Sequence, residues 1–455
     1  MAGSEARVDL LGTIEVLHRY LTKDCAEAVF DEARTVERRR QLTLTTLAEF
    51  WTAVILRAPD SLSQALAEAN GTVERGSGAA YPRIETTRQA FFSRCRDLDG
   101  SFFERLFQAF QAAVDAAEPP AFARDVAGIA QRFGGRIWAV DASALDKVAR
   151  RLRVLRNDRR VPLPGMLIAF YDICAGRIAR LKHHRELQPQ EGPCAREMLP
   201  QVPAGTLLVG DRLYGRLVML EAVSERDAFY VVGRHQQVNF AAERELASHR
   251  EGGVHIQDWI GTYGTGNGVP AQSVRLIRKR QGRRSLELVT NVLDPEQLSA
   301  QEALALYRQR WKVERLFYEL KEVLNLHRFY GANLNAISMQ VYAAAIVHTA
   351  MRVAQARIAK SVGLEPEALS TQKLFVRVAA ASASLAVAEV TFVAVQQANP
   401  KVILVRPDWR TLPFAWVWLK DILVELRGTG GRQRRIKPDG RSLRTLPKPR
   451  RKGGR

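Results

Sequence analysis

The chain has 455 residues, of which 46% are hydrophobic and 25% are charged, the usual balance of a globular protein. This balance excludes a mostly disordered, collagen-like or coiled-coil chain, and the length suggests two to four domains. Lys and Arg number 68 against 48 Asp and Glu, so the formal net charge is +20. Such an excess predicts a polyanionic partner, either nucleic acid or an anionic membrane.

The sequence argues against a membrane. It contains no run of 18 or more apolar residues. The most apolar stretch, Val341 to Val353, is interrupted by His348 and Arg352 and predicts a buried helix. The first ten residues lack the apolar region of a secretory signal. We therefore expect a cytoplasmic protein.

Composition divides the chain into regions. Residues 1–118 show helical spacing of apolar residues and end at Pro119-Pro120, because consecutive prolines cannot continue a helix. The last 28 residues hold 11 Lys/Arg and one acid, a net charge of +10 that predicts a disordered tail. The remaining boundaries give the first part of an α/β core at 121–235, a β-rich insertion at 236–297, a further core helix at 298–335, helices at 336–427 and the tail at 428–455.

Short apolar runs in the α/β core predict strands. Three strands, a short helical stretch, a strand, a helix and a fifth strand follow one another in that order. This is the order of the ribonuclease H-like fold, a mixed sheet with helices on both faces. The insertion is rich in glycine and contains two strand-like runs. The predicted strands are residues 137–140, 166–171, 175–181, 207–210 and 229–232, with 274–277 and 286–292 in the insertion.

A polar stripe runs along the helix predicted for residues 299–327. Ser299 and Glu302 form the capping-box pattern that starts this helix. At about 100° per residue, four polar side chains fall within about 60° of one another: Tyr307, Arg310, Glu314 and Lys321. The same pattern also suits a solvated face with an Arg310–Glu314 ion pair, worth about 0.3–0.5 kcal/mol.

Three acids together favour chemistry over a solvated face. Asp141 directly follows the strand IWAV, and Asp211 directly follows LLVG. Carboxylates at the ends of neighbouring strands converge, and Glu314 on a covering helix would complete a site of three carboxylates. Hard oxygen ligands without His or Cys suit Mg²⁺ or Mn²⁺. Two such ions could hold the attacking and leaving oxygens of a phosphodiester displacement.

These residues resemble the motifs of a known family. The segment YRQRWKVERLFYELK is similar to the Tyr-Arg-Glu-Lys signature of DDE transposases, and within these of the bacterial insertion-sequence family numbered four. DAS at Asp141 and GDRLYG at Asp211 match the other two acidic blocks of that family. The specific motifs lie within about residues 130–330.

The resemblance implies an activity and its site. Asp141, Asp211 and Glu314 would be the catalytic acids, with Asp141 bridging two Mg²⁺ ions that Mn²⁺ could replace. A metal-activated water would cut at the transposon end, and the exposed 3′-OH would attack the opposite strand and later target DNA. The partners implied are DNA with terminal inverted repeats, target DNA and a second copy of the chain in a synaptic dimer, in the bacterial cytoplasm and associated with the nucleoid.

Further residues are candidates for DNA contact. The resemblance implies that Tyr307, Arg310 and Lys321 hold phosphates near the transposon end. Trp259 in the insertion could stack on a flipped base, although its apolar neighbours also suit a core position. Trp311 is expected to pack against the sheet. Basic residues of the N-terminal helical region could bind the element's ends or form a solvated turn: Arg38, Arg39 and Arg40.

Two other functions stay open at this point. The first is a non-catalytic DNA-binding protein derived from a transposase, although the acids and the polar stripe are intact. The second is a ribonuclease H-like nuclease without strand transfer. No GxxxxGK[ST] phosphate loop is present, which argues against an ATP-driven helper of transposition.

Overall fold

A computed structural model describes residues 7–33, 42–71, 82, 84–145, 165–185, 190–264, 270–331, 333–382 and 415–424. Arg38 to Arg40 and the basic tail at 428–455 lie outside these residues. Up to Leu423 the chain forms one compact unit. Among the described helices, none is long and apolar enough to cross a membrane.

A nine-stranded sheet is the centre of the structure. A separate two-stranded pairing joins β1 to β11. The strands are β1 (Arg7–Asp9), β2 (Ile137–Ala144), β3 (Met166–Asp172), β4 (Arg177–His184), β5 (Leu207–Gly210), β6 (Phe229–Gly233), β7 (Phe240–Glu251), β8 (Val254–Tyr263), β9 (Gln272–Gln281), β10 (Arg284–Thr290) and β11 (Trp416–Trp418).

The order in the large sheet is β4-β3-β2-β5-β6-β10-β9-β8-β7. β2, β5 and β6 run parallel to one another, and the other neighbouring strands are antiparallel. The sheet is therefore mixed. Every predicted strand has a counterpart, but residues 240–290 form four strands where the sequence indicated two. The hairpin between β7 and β8 turns at Gly252 and Gly253, both with positive φ.

Helices cover both faces of the sheet. They are α1 (Gly12–Tyr20), α2 (Lys23–Ala33), α3 (Leu44–Arg57), α4 (Leu62–Ala69), α5 (Arg88–Asp97), α6 (Ser101–Ala117), α7 (Ala127–Gln131), α8 (Glu191–Met198), α9 (Leu217–Ser224), α10 (Ala300–Gln309), α11 (Trp311–Tyr318), α12 (Leu334–Ser361), α13 (residues 371–382) and α14 (Leu419–Ile422).

Alternation along the strands separates two hydrophobic cores. In β2, Ile137 and Ala139 belong to the core that contains α3, α6 and α10 to α12, whereas Trp138 and Val140 belong to the core under α8 and α9. α12 lies in the first core and is buried on nearly every side between Ala336 and Gln355, so the prediction of a buried helix there is confirmed. The N-terminal helices pack on α12 and share its core.

The helix that carries the polar stripe is less regular than the sequence predicted. The capping box of Ser299 and Glu302 is formed in both directions. The helix is then interrupted at Arg310, and it widens to a π-helical turn over Glu319–Val323. The π-helical turn begins at buried Glu319, which accepts a hydrogen bond from His348 of the neighbouring helix α12.

A buried ion pair fixes the added strands to the start of this helix. Arg275 of β9 donates to both carboxylate oxygens of Asp258 in β8, at 2.8 and 2.5 Å, and to the carbonyl of Leu298 at 2.5 Å. Arg275 is 0% exposed and Asp258 is 3% exposed. Because Leu298 directly precedes the cap of α10, this pair joins β8 and β9 to the helix that carries the stripe.

We predict that Asp258→Asn lowers the free energy of unfolding by about 3–5 kcal/mol, because it leaves the Arg275 charge buried without its partner. Urea denaturation at 25 °C measures the loss. Arg124→Met, which removes an exposed pair with Glu365, should change it by less than about 1 kcal/mol. The double variant Asp258→Leu/Arg275→Met should recover most of the loss. A loss for Asp258→Asn as small as that for Arg124→Met would contradict the structural role of the pair.

Candidate active site

The two aspartates lie at the same level of two neighbouring parallel strands. The last parallel pair joins Ala139 of β2 to Val209 of β5, and Asp141 and Asp211 each lie two residues further along. There β5 ends, whereas β2 continues alongside β3, with Asp141 opposite Ala169. Asp141 is therefore inside its strand and not directly after it, as the sequence had suggested. The pairing of the two strands ends just before the aspartates, and open α/β sheets bind ligands at the carboxyl ends of their parallel strands.

Acidic side chains are gathered around Asp141. Burial raises the pKa of its carboxyl group to about 7. The hydrogen bond from the backbone N–H of Ala142 (2.9 Å) lowers this pKa, as does the charge of Arg310, while the carboxylates of Glu191 and Glu314 raise it. Asp141 therefore has acidic neighbours on more than one side, and a bound cation would relieve their repulsion.

Asp211 begins a tight turn. Its Oδ1 accepts a hydrogen bond from the backbone N–H of Leu213 at 2.7 Å, and this bond caps the 3₁₀ turn Arg212–Gly215. The far end of the turn is held by Tyr263, whose hydroxyl donates to the carbonyl of Gly215 at 2.9 Å. Gly215 cannot carry a side chain here, because a Cβ atom would lie 2.4 Å from the carbonyl oxygen of Gly233.

Glu314 approaches from the helices over the first core. Asp141 has the same parity in β2 as Ile137 and Ala139, so its side chain points toward the face that α10 and α11 cover. Glu314 accepts a hydrogen bond from Nη1 of Arg310, one turn earlier.

The guanidinium of Arg310 also lies 5.8 Å from the ring centre of Tyr307, and its buried Nε has no hydrogen-bond partner among the described residues. Burial raises the pKa of Tyr307, the charge of Arg310 lowers it, and the charge of Asp211 raises it. The Tyr307 phenol is therefore close to the second aspartate as well as to Arg310.

Lys321 holds the end of β2. Its Nζ donates to Oγ of Ser143 at 2.5 Å and to the carbonyl of Ala144 at 2.7 Å, two and three residues past Asp141. Lys321 lies in the π-helical turn, which is fixed on its other side by Glu319.

Glu319 accepts from Nε2 of His348 and from Nε of Arg315, both at 2.9 Å. Glu319 therefore points to α12. Its buried bonds hold the helix from which Glu314 and Lys321 reach the sheet.

Some candidates lie elsewhere. Trp259 is half-buried in β8 under the guanidinium of Arg278, 5.1 Å from its ring centre, and packs against the second core. The expectation for Trp311 was wrong, because this side chain is 59% exposed beside Arg310. The position follows from the helix geometry: Val313 and Leu316 take the buried face of α11.

The acids of the site have the chemistry of a metal site. Among the described residues, no three His, Cys, Asp or Glu side chains are grouped closely enough to hold an ion as they stand. Glu314 is instead paired with Arg310. Asp141 and Asp211 supply the hard oxygen donors that Mg²⁺ and Mn²⁺ prefer. The donor chemistry and the repulsion at Asp141 therefore fit a divalent cation.

One acid of the site was missed in the sequence. Glu191, the first residue of α8, accepts a hydrogen bond from the hydroxyl of Tyr214 at 2.7 Å. Burial raises its pKa, the bond from Tyr214 lowers it, and the charge of Asp211 raises it. Glu191 lies in no recognisable motif. The one sequence signal was Tyr214 itself, within the GDRLYG block.

The raised pKa of Asp141 predicts how stability changes with pH without metal. Below about pH 3 the carboxyl is protonated in both states. Between pH 4 and 7 the unfolded chain releases this proton while the folded chain keeps it, so stability falls as pH rises. We therefore predict that, in EDTA, the free energy of unfolding of Asp141→Asn minus that of the unsubstituted protein rises by about 2–3 kcal/mol from pH 5 to pH 8. Urea denaturation at both pH values measures this, and a difference independent of pH would contradict it.

The sequence is similar to those of known transposases. The family model "Transposase DDE domain" matches residues 166–350, which include Asp211 and Glu314 and begin after Asp141. A putative transposase of Sinorhizobium fredii is 26% identical over 253 residues, covering 51% of this chain and 68% of that protein. A probable transposase for an insertion sequence element of Geobacillus stearothermophilus is 26% identical over 164 residues, covering 36% of this chain and 42% of that protein.

Among solved structures, a piggyBac transposase synaptic complex with hairpin DNA matches 88% of this chain and 86% of that chain, with 9% identity and a TM-score of 0.41. The matched domain and the two transposase relatives identify the chain as an enzyme, a DNA transposase with a DDE domain.

Proposed function

We propose that this transposase cuts and joins DNA at the carboxyl ends of β2 and β5, with Asp141, Asp211 and Glu314 as its catalytic acids. The observation that carries the proposal is the shared level of the two aspartates on parallel strands, with Glu314 acting on the charge of Asp141 from a covering helix. The order and direction of β4-β3-β2-β5-β6 support a ribonuclease H-like core, into which residues 236–297 insert four strands.

The chemistry is phosphodiester hydrolysis followed by transesterification. In the first reaction a water oxygen bonds to phosphorus and the bond to the 3′ oxygen breaks, which leaves a 3′-OH and a 5′-phosphate. In the second, that 3′-OH bonds to a phosphorus of the opposite strand or of target DNA, and another 3′ oxygen leaves. Neither reaction needs a covalent bond to the enzyme.

Divalent ions, which we propose to be two Mg²⁺ replaceable by Mn²⁺, would stabilise the charge on the attacking and leaving oxygens. Asp141 and Asp211 would bind these ions. Glu314 would also bind them after its hydrogen bond with Arg310 is broken. Asp141 is predominantly protonated below pH 7 in the metal-free protein, so it would give up this proton on binding. The turn capped by Asp211 keeps one carboxylate oxygen occupied and fixes the direction of the other.

The stripe would bind the DNA backbone. Arg310 carries a buried Nε without a partner among the described residues, and a phosphate oxygen is an anion that suits a guanidinium fork. Tyr307 and Lys321 lie on either side of the acids and would contact neighbouring phosphates. These residues support membership of the insertion-sequence family with the Tyr-Arg-Glu-Lys signature. Trp259 stays a candidate for base stacking, because its side chain is partly exposed.

The proposed partners are DNA with terminal inverted repeats, target DNA and a second copy of the chain in the synaptic complex. The net charge of +20 supports binding to DNA along much of its length. Arg38, Arg39 and Arg40 remain candidates for recognition of the element's ends, outside the described residues.

We predict that Asp141→Asn, Asp211→Asn and Glu314→Gln each reduce Mg²⁺-dependent cleavage of DNA carrying the inverted repeats that flank the gene. The loss should be about 1,000-fold or more, the equivalent of about 4 kcal/mol of transition-state stabilisation. Gel assays of nicking and strand joining measure it.

Glu225→Gln, an exposed acid after α9, is the matched control and should cleave normally. Unchanged cleavage by the three variants would refute the proposed acids. DNA binding without cleavage by the unsubstituted protein would favour the non-catalytic alternative, which the Arg310–Glu314 pair also suits.

Lys321→Met tests whether this ammonium contacts phosphate or only holds β2. Loss of one phosphate contact should reduce the slope of log Kd against log salt concentration by about 0.9. Binding to repeat DNA between low and moderate salt measures the slope. Lys360→Met, an exposed lysine in the last turn of α12, should leave it unchanged. If Lys321→Met lowers the melting temperature but leaves the slope unchanged, the only role of Lys321 is to hold β2 through its bond to Ser143.

A further inference from the structure

A fourth acid enters the site from the opposite face of the sheet. Glu191 begins α8, whose Cys194, Ala195 and Met198 pack in the second core. Glu314 belongs to α11, which packs in the first core. The two acids therefore come from helices on different faces, and both act on the charge of Asp141 where β2 passes the end of β5.

Glu191 is connected to the turn of Asp211 by a hydrogen bond through Tyr214. The hydroxyl of Tyr214 donates to Oε1 of Glu191 at 2.7 Å. Tyr214 is only 2% exposed, and its ring lies so close to Gly210 that a Cβ atom there would be 3.1 Å from three of its atoms. The ring thus crosses the end of β5 directly before Asp211.

The turn that carries Asp211 is consequently fixed at two points. Glu191 holds it through Tyr214, and Tyr263 holds it through the carbonyl of Gly215. Neither bond involves the carboxylate of Asp211, which uses one oxygen to cap the turn. The bonds therefore set the direction of Asp211 without occupying its remaining oxygen.

Glu191 is not sealed in the core. It borders a cleft of about 430 Å³, together with Arg196, Leu213, Tyr214 and Arg216. An acid at a helix start gains about 0.3–1 kcal/mol from the helix dipole, which accounts for its tolerance there. The dipole does not account for placing that acid where its charge acts on Asp141 and is acted on by Asp211. A cation held by the aspartates would account for it.

We propose that Glu191 is a positioning residue of the metal site: through Tyr214 it orients Asp211, and its charge, added to those of Asp141 and Asp211, increases the site's affinity for a divalent cation. This inference rests on the proposed function of the aspartates. Glu191 would thus change the affinity for metal without itself contacting the DNA or the reacting atoms.

The test compares three variants of the full chain. Glu191→Gln removes the charge and keeps a hydrogen-bond acceptor. Tyr214→Phe keeps the charge and removes the bond. Glu197→Gln is the matched control, because Glu197 lies on the same helix with its side chain 68% exposed. Two readouts are measured: the Mn²⁺ concentration that gives half the rise in melting temperature without DNA, and the Mg²⁺ concentration for half-maximal nicking of repeat DNA.

Glu191→Gln should raise both half-saturating concentrations about 10-fold or more, the usual effect of removing an outer partner of metal ligands. Tyr214→Phe should raise them in the same direction but less, and Glu197→Gln should not. Nicking by Glu191→Gln should largely recover at saturating Mg²⁺. If Glu191→Gln does not fold, Tyr214→Phe carries the same test.

The inference is overturned if Glu191→Gln leaves both half-saturating concentrations unchanged while Asp211→Asn abolishes the response to Mn²⁺. A lower melting temperature of Glu191→Gln would not alter that conclusion. If the unsubstituted protein shows neither a Mn²⁺ response nor nicking, the proposed function fails and this inference fails with it. If Asp211→Asn responds like the unsubstituted protein, the aspartates are not the ligands and both are wrong.

Discussion

The parallel pairing of β2 with β5 is the constraint on which the site depends. It places Asp141 and Asp211 at one level of the sheet and then ends, so that the strands separate at the two carboxylates. A shift of one residue in either strand would turn one aspartate to the other face of the sheet. The apolar residues before each aspartate hold this register, since they alternate between the two cores.

Charges at the site are arranged from both faces of the sheet. α11 brings Glu314 with its partner Arg310, and α8 brings Glu191 with its partner Tyr214. The interactions that position the helix carrying the stripe are made by buried polar side chains. Glu319 bonds to His348, and Arg275 with Asp258 bonds to the chain before α10. Such groups contribute little net stability, but loss of one partner is costly, so they fix the position of the helix that carries the acids.

Local signals made much of the fold predictable. Apolar runs that end in acids indicated β2 and β5, and Ser299 with Glu302 indicated the start of α10. Features set by distant contacts were not predictable. The π-helical turn coincides with the bond between Glu319 and His348, 29 residues later, and Glu191 is bonded to Tyr214, 23 residues later. The polar strands β7 and β8 were missed because their pattern lacks a continuous apolar run, and the exposure of Trp311 depends on which residues α11 buries.

The most direct test of the account is the position of bound metal. Crystals of the protein with repeat DNA, soaked in Mn²⁺ and measured at the manganese absorption edge, locate the ions by anomalous scattering. The account predicts a peak between the carboxylates of Asp141 and Asp211, about 2.0–2.2 Å from an oxygen of each. Peaks only at other places, with these two side chains free of metal, would contradict it.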